Sequence, residues 1–125
     1  MKYPREVIGE ALGTFVLVLF GCGSVAASVL FEAHQGLMQV ALSCGIGVTL
    51  AIYLTRHLSC AHINPAVSLA MVVGGRMSVR KLPVYLIAQF AGAILAALTL
   101  YVLLAPSITA YENAHGIIRG TTESV

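Results

Sequence analysis

His62-Ile63-Asn64-Pro65-Ala66-Val67-Ser68 lies inside an apolar stretch, Leu58 to Val73, that is too short to cross a bilayer. Asparagine is a strong N-cap, and proline is favoured at the first helical position. The heptapeptide therefore predicts a helix that is capped by Asn64, runs from Pro65 to about Val73 and ends at Gly74-Gly75. Such a helix is about 13 Å long, roughly half a bilayer core. Leu58 to Ile63, ahead of it, is expected to be extended, because the residue before a proline disfavours helix. Extended chain going in and a half-helix coming out make a re-entrant element. Non-helical backbone survives at membrane depth only where protein or a water-filled cavity satisfies it. The carbonyls around Ser59 to His62 then need polar partners, which a file of water or alcohol molecules can supply.

The flanks give this element its setting. A bilayer core of about 30 Å needs about 20 apolar residues, and three stretches qualify. The first runs from about Val7 to Phe31 with one charge, Glu10. The second, from about Met38 to Thr55, and the third, from about Leu82 to Ala105, carry none. Glu32 to Gly36 is a short polar turn, and residues 106–125 read as a more polar tail with no spanning potential. The first stretch is too long for a signal peptide and continues without a polar cleavage region, so it reads as a retained helix.

Composition agrees. Of 125 residues, 58% are apolar and 10% charged, against about 25% charged in soluble domains. The chain is too hydrophobic to be disordered. Three cysteines in apolar sequence do not make a secreted disulfide scaffold. A net charge of +2 from scattered basic residues leaves no stripe for nucleic acid. The lipid bilayer is the implied partner. Lys2, Arg5, Arg56, Arg76, Arg80 and Lys81 fall on one side of the spans, with Arg119 alone on the other. Loops rich in Lys and Arg stay in the cytoplasm. The N-terminus and residues 56–81 are therefore expected on the cytoplasmic side of a plasma (inner) membrane, and the tail outside it.

The half-helix suggests a chemistry. Its N-terminus carries partial positive charge at mid-membrane. If the Asn64 side-chain oxygen caps the helix, its NH2 remains free to donate. A wall of carbonyl acceptors around an amide donor would pass neutral hydrogen-bonding solutes, and the positive helix end would repel cations and hydronium. Small residues stand where helices pack closely in lipid: Gly9 and Gly13, Gly45 and Gly47, and the row Ala88, Gly92, Ala96. Glu10 inside a span reads as a structural acceptor, a proton-relay carboxylate or a group wet at the interface. His57 and His62 have a poor spacing for a metal, with no carboxylate to complete a site, so no metal or cofactor is expected. His34 and His115 read as loop histidines, and Cys22, Cys44 and Cys60 as inert thiols. No nucleophile–base pairing or phosphate loop is present, which argues against an enzyme.

The sequence resembles the aquaporin and glycerol-facilitator family of membrane channels. The matching residues are Ala61 to Val67, the family's first Asn-Pro-Ala box; Gly9-Glu10-Ala11-Leu12-Gly13-Thr14-Phe15 and Phe20-Gly21-Cys22-Gly23; Gly45-Ile46-Gly47-Val48 and Ile52-Tyr53-Leu54-Thr55; and Ala88-Gln89-Phe90-Ala91-Gly92-Ala93. The resemblance implies an all-α integral membrane fold, with three transmembrane helices plus one re-entrant half-helix. Residues 1–125 would then be one inverted repeat of a six-helix bundle whose two half-helices meet at the bilayer centre. It makes Asn64, Pro65 and Ala66 the first box. His62 and the carbonyls of Ser59, Cys60 and Ala61 would line the cytoplasmic half of the pore. Cys44 would stand at the filter position, in place of the bulky aromatic found in many members, and so imply a wider filter. Glu10 would be the buried carboxylate that supports the re-entrant loop, and Gly45 and Gly92 the helix-crossing glycines. His115-Gly116-Ile117-Ile118-Arg119-Gly120 with Glu123-Ser124-Val125 resembles the loop that follows in glycerol facilitators. No second box and no second-half filter arginine occur in this sequence. The expected function is thus the pore-forming half of a passive channel for glycerol, water and other small neutral solutes, excluding ions and protons. A complementary C-terminal half or second chain would complete it, and completed channels would assemble as tetramers. The alternatives are a small proton-coupled transporter using Glu10, or a truncated non-conducting fragment, since Val125 falls in mid-loop by family comparison.

Overall fold

A computed structural model describes residues 3–33 and 36–119. The described chain is helical: α1 (Pro4–Phe31), α2 (Leu37–Thr55), the short α3 (Pro65–Val73) and α4 (Leu82–His115), which a single 3₁₀ turn, Val79–Lys81, precedes. Three of these helices are long and apolar enough to cross a membrane. Lys2, His34 and residues 120–125, which figure in the charge count, the polar turn and the tail, lie outside the described residues.

Local signals set the starts and stops. Pro4 and Pro83 stand in the first turns of α1 and α4, where a missing N–H costs no hydrogen bond. α1 stops where Glu32 turns left-handed at φ 51°. α1 and α4 run parallel, since Lys81 Nζ reaches Glu6 Oε1 at 2.8 Å near their starts and Gly92 abuts the Ala11 carbonyl further along. α2 runs the other way beside α1. A Cβ on Gly13 would stand 3.0 Å from Thr55 Oγ1, and one on Gly47 would stand 2.5 Å from Phe20 Cβ.

The helix expected to end near Ala105 instead continues through Pro106 to His115. Proline removes one intrahelical hydrogen bond, but its φ suits a helix. Residues 107–115 hold no glycine or second proline to stop it. The stop comes at Gly116, whose φ of 67° is the left-handed C-cap conformation. Most of the expected tail is therefore helix, and α4 at 34 residues is about 51 Å long.

Gly45 also departs from expectation. A Cβ there would meet nothing within 4 Å, so it is no crossing point within this chain. Gly47, two residues on, lies on the opposite side of the helix and takes that role against Phe20. Gly92 is a crossing glycine, because an added Cβ would collide with the Ala11 backbone.

The interior is mostly small or polar while the outside is apolar. Ala51, Ala88 and Ala96 are buried, as are Glu10, Thr55, Ser68 and Gln89, with Tyr85 and Ile63 the larger apolar groups among them, whereas Ile87, Ile94, Leu98, Val102 and Leu103 of α4 are exposed. Lipid, unlike water, provides no drive to bury large apolar side chains, so small residues and hydrogen bonds hold the helices together.

Candidate functional site

The site is built around the link from α2 to α3. After Thr55 the chain makes a hydrogen-bonded turn, with the N–H groups of Leu58 and Ser59 donating to the Thr55 carbonyl at 2.8 and 3.0 Å. Residues 60–63 then have no regular structure, and Ala61 and Ile63 adopt left-handed φ values of 48° and 44°. For β-branched Ile63 that conformation is strained and has to be held by its surroundings.

Glu10 does the holding. It is 0% exposed, and its carboxylate accepts four hydrogen bonds. Oε1 takes the Ser59 hydroxyl at 2.8 Å and the His62 N–H at 3.0 Å. Oε2 takes the Ile63 N–H at 2.8 Å and Gln89 Nε2 at 2.8 Å. Successive backbone N–H groups converging on one anion form a nest, here closed by a carboxylate of the same chain. The Ala61 N–H donates to Ser59 Oγ at 3.0 Å. Gly9 and Gly13 let this link lie against α1. A Cβ on Gly9 would come within 2.8 Å of Ser59 Oγ, and one on Gly13 would collide with Ile63. The pair thus seats the loop as well as a neighbouring helix.

Asn64 caps α3 as its residue type predicts. It is extended at φ −155°, and its Oδ1 accepts the Ala66 N–H at 2.8 Å. Its carbonyl accepts the Ser68 N–H at 3.0 Å. Asn64, Pro65 and Ala66 are exposed, and so is Cys60, with Ser59 and Ala61 partly so. With Oδ1 engaged, the Asn64 NH2 makes no hydrogen bond among the described residues. None of the hydrogen bonds around the link ends on a carbonyl of residues 60–62. The bonds to the link fall on its N–H side, which leaves its acceptor side uncommitted.

His62 differs from expectation. Its ring is not an open pore-wall group; the residue is 7% exposed. Nδ1 lies 3.2 Å from Ser68 Oγ, and the ring packs on Tyr85 at 5.2 Å between centroids. Cys44 is partly exposed and lines a cavity with Gly21 and Cys22 on the α1–α2 face. Two participants escaped the sequence reading. Gln89 joins Glu10 to Ser68, donating to the latter at 2.9 Å, and Ser68, 0% exposed, joins Gln89 to His62. A lone amide in an otherwise apolar span is a signal for Gln89. Ser68 carries none. Among the described residues there is no cluster that could hold a metal ion.

The chain is 42% identical over 120 residues to the glycerol uptake facilitator protein of Pseudomonas aeruginosa, covering 96% of this chain and 43% of that one. It is 39% identical over 120 residues to the propanediol uptake facilitator of Citrobacter freundii, covering 96% of this chain and 45% of the relative. Its fold matches the X-ray structure of the aquaglyceroporin from Plasmodium falciparum with a TM-score of 0.82 and 36% identity, over 86% of this chain and 45% of that chain. The chain thus spans about half the length of the curated relatives it matches. The family model for the major intrinsic proteins covers residues 1–124, and the chain belongs to that family of membrane transport proteins.

Proposed function

We propose that this chain forms one wall of a passive channel for glycerol and other small neutral solutes, water included, that keeps out ions and protons. The observation that supports it most is the state of Asn64. Its oxygen is spent on capping α3, its amide NH2 makes no hydrogen bond among the described residues, and the residue is exposed at the end of a link whose carbonyls at residues 60–62 are uncommitted. A hydroxyl passing there gives its hydrogen to a carbonyl and accepts one from Asn64, which suits a neutral solute. The N-terminal end of α3 adds partial positive charge at the same point, unfavourable to cations and hydronium. The relatives' names, two facilitators of polyol uptake and an aquaglyceroporin, point to the same solute class. In this reading Cys60 and the backbone of residues 59–61 continue the wall, Cys44 stands toward its outer end, and no step of catalysis is involved.

Glu10 is a strut in this function. A proton-coupled transporter needs a carboxylate that meets solvent and releases its partners, whereas Glu10 is fully buried under four donors. The other wall is a second unit of three helices and a half-helix, from the same polypeptide or another, and completed channels gather as tetramers. The end carrying Arg5, Arg56 and Lys81 faces the cytoplasm, and the end carrying Arg119 lies outside the plasma membrane.

The test is glycerol-driven swelling of proteoliposomes that hold the chain with its matching second unit. Flux well above lipid-only vesicles is expected, and Asn64→Asp, which keeps the cap oxygen but replaces the NH2 with an acceptor, should cut it by about tenfold or more. Lipid-level flux with both units inserted and folded overturns the proposal.

A further inference from the structure

At the end that carries Arg119, the last turns of α1 and α4 enclose a cavity of about 420 Å³. Its polar lining is Glu32, Ser107, Tyr111 and His115, and Leu30 and Ala114 are among its apolar walls. None of these residues belongs to the solute path proposed above. The Glu32 carboxylate and the Ser107 hydroxyl make no hydrogen bond or ion pair among the described residues. His115 Nδ1 lies 2.9 Å from the Tyr111 carbonyl. A carbonyl only accepts, so Nδ1 carries the hydrogen, and in the neutral ring Nε2 is left as an acceptor. The imidazole is stacked on Tyr111 with 4.0 Å between centroids, which fixes its plane. The lining thus offers a carboxylate, an imidazole nitrogen and hydroxyls, with one full negative charge and no cation to answer it.

We propose that this cavity binds a primary ammonium group carried on a short aliphatic stem. Such a group brings three N–H donors and one positive charge to acceptors that carry one negative charge. The apolar walls take the stem, and the Tyr111 ring attracts the cation. Glu32 repels an anion. A metal ion lacks a third ligating side chain among the described residues. A neutral polyol gains no ion pair. Depth agrees with a charged ligand. α1 has 28 residues and is about 42 Å long, against about 30 Å of hydrocarbon core, so Glu32 at its end stands at the level of the headgroups. Primary ammonium groups reach that level from two sources, soluble alkylamines and the aminoethyl headgroup of a phospholipid, and the experiment separates them.

The chain, with isotope-labelled tyrosine and histidine rings, is placed in phosphatidylcholine nanodiscs at about pH 8, above the ordinary imidazole range and below that of an alkylamine. Propylammonium chloride is added while the ring signals of Tyr111 and His115 are followed. A saturable shift of both is expected. Glu32→Gln should weaken binding about tenfold, and Glu32→Asp, which keeps the charge and tolerates the left-handed backbone, by less than about threefold. Tetramethylammonium, with the charge but no N–H, and glycerol, with donors but no charge, should not compete. Phosphatidylethanolamine is then mixed into the bilayer without added amine. The same shifts assign the ligand to the headgroup, and unchanged spectra assign it to soluble amines. No saturable shift from either source, equal affinity in Glu32→Gln and the native chain, or competition by tetramethylammonium or glycerol overturns the site.

Discussion

The two ends of the helix bundle are held together in different ways. Toward the end that carries Arg5, Arg56 and Lys81, one carboxylate collects donors from the α2–α3 link and from α4. An ion pair joins Lys81 to Glu6 at 2.8 Å, and Gly9, Gly13 and Gly92 bring backbones into close contact. Toward the other end, α1 and α4 stand apart around a cavity of about 420 Å³ lined by Leu30, Glu32, Ser107, Tyr111 and His115. There the side-chain bonds are local in sequence, as with Thr99 to the Leu95 carbonyl one turn back and Arg119, just past the end of α4, to Glu112. Irregular chain explains the difference. Regular helices satisfy their own backbone inside a membrane, and only the link from Ser59 to Ile63 needs partners from elsewhere. Polar side chains are therefore concentrated where that link lies.

Five substitutions bear on this contrast through unfolding in detergent, taken from the largest loss down. Glu10→Gln should cost about 4 kcal/mol, because an amide offers one acceptor atom where two oxygens served four donors; a loss similar to that of a surface substitution would mean the network does not hold the link. Gly92→Ala should cost about 3 kcal/mol, since the added carbon meets the Ala11 backbone and the helices have to part. Gln89→Leu should cost about 2 kcal/mol by removing two donors from the interior; the contrast sharpens if Thr99→Val, in the other half, changes stability by less than about 0.5 kcal/mol. Gly45→Ala should be neutral or stabilising by up to about 1 kcal/mol, as it adds helix propensity where nothing is in the way. A clear loss there would show that α2 is packed on that side.

How much of this was legible in the sequence depended on whether a feature was local. The half-helix could be read to its ends, because Asn64, Pro65 and Gly74-Gly75 each act through the backbone of their immediate neighbours. The three spans follow from charge and length alone. Pro106 misled because a proline weakens a helix without ending it, and the stop signal was the glycine ten residues further on. Gly45 and Gly47 look alike in sequence; about 200° of rotation separates them, and which one faces α1 depends on how the helices are placed. His62 was assigned to the pore wall by position within the box, but Ser68 and Tyr85 draw its ring inward. Glu10 was suspected from its charge, whereas its partners, distant by 49 to 79 positions, come together only in the fold.

Ile63 and its left-handed φ of 44° bear on the order in which the molecule is built. Little within residues 58–73 favours that conformation in a β-branched residue; the Glu10 carboxylate that receives its N–H lies in α1, and the Gln89 that steadies Glu10 lies in α4. The segment therefore leaves the ribosome after its anchor but before its brace. It has to wait, partly formed, until Gln89, 26 positions beyond Ile63, has been made and α4 has come alongside α1. In the assembly of this chain, the turn ahead of α3 is the last part to settle.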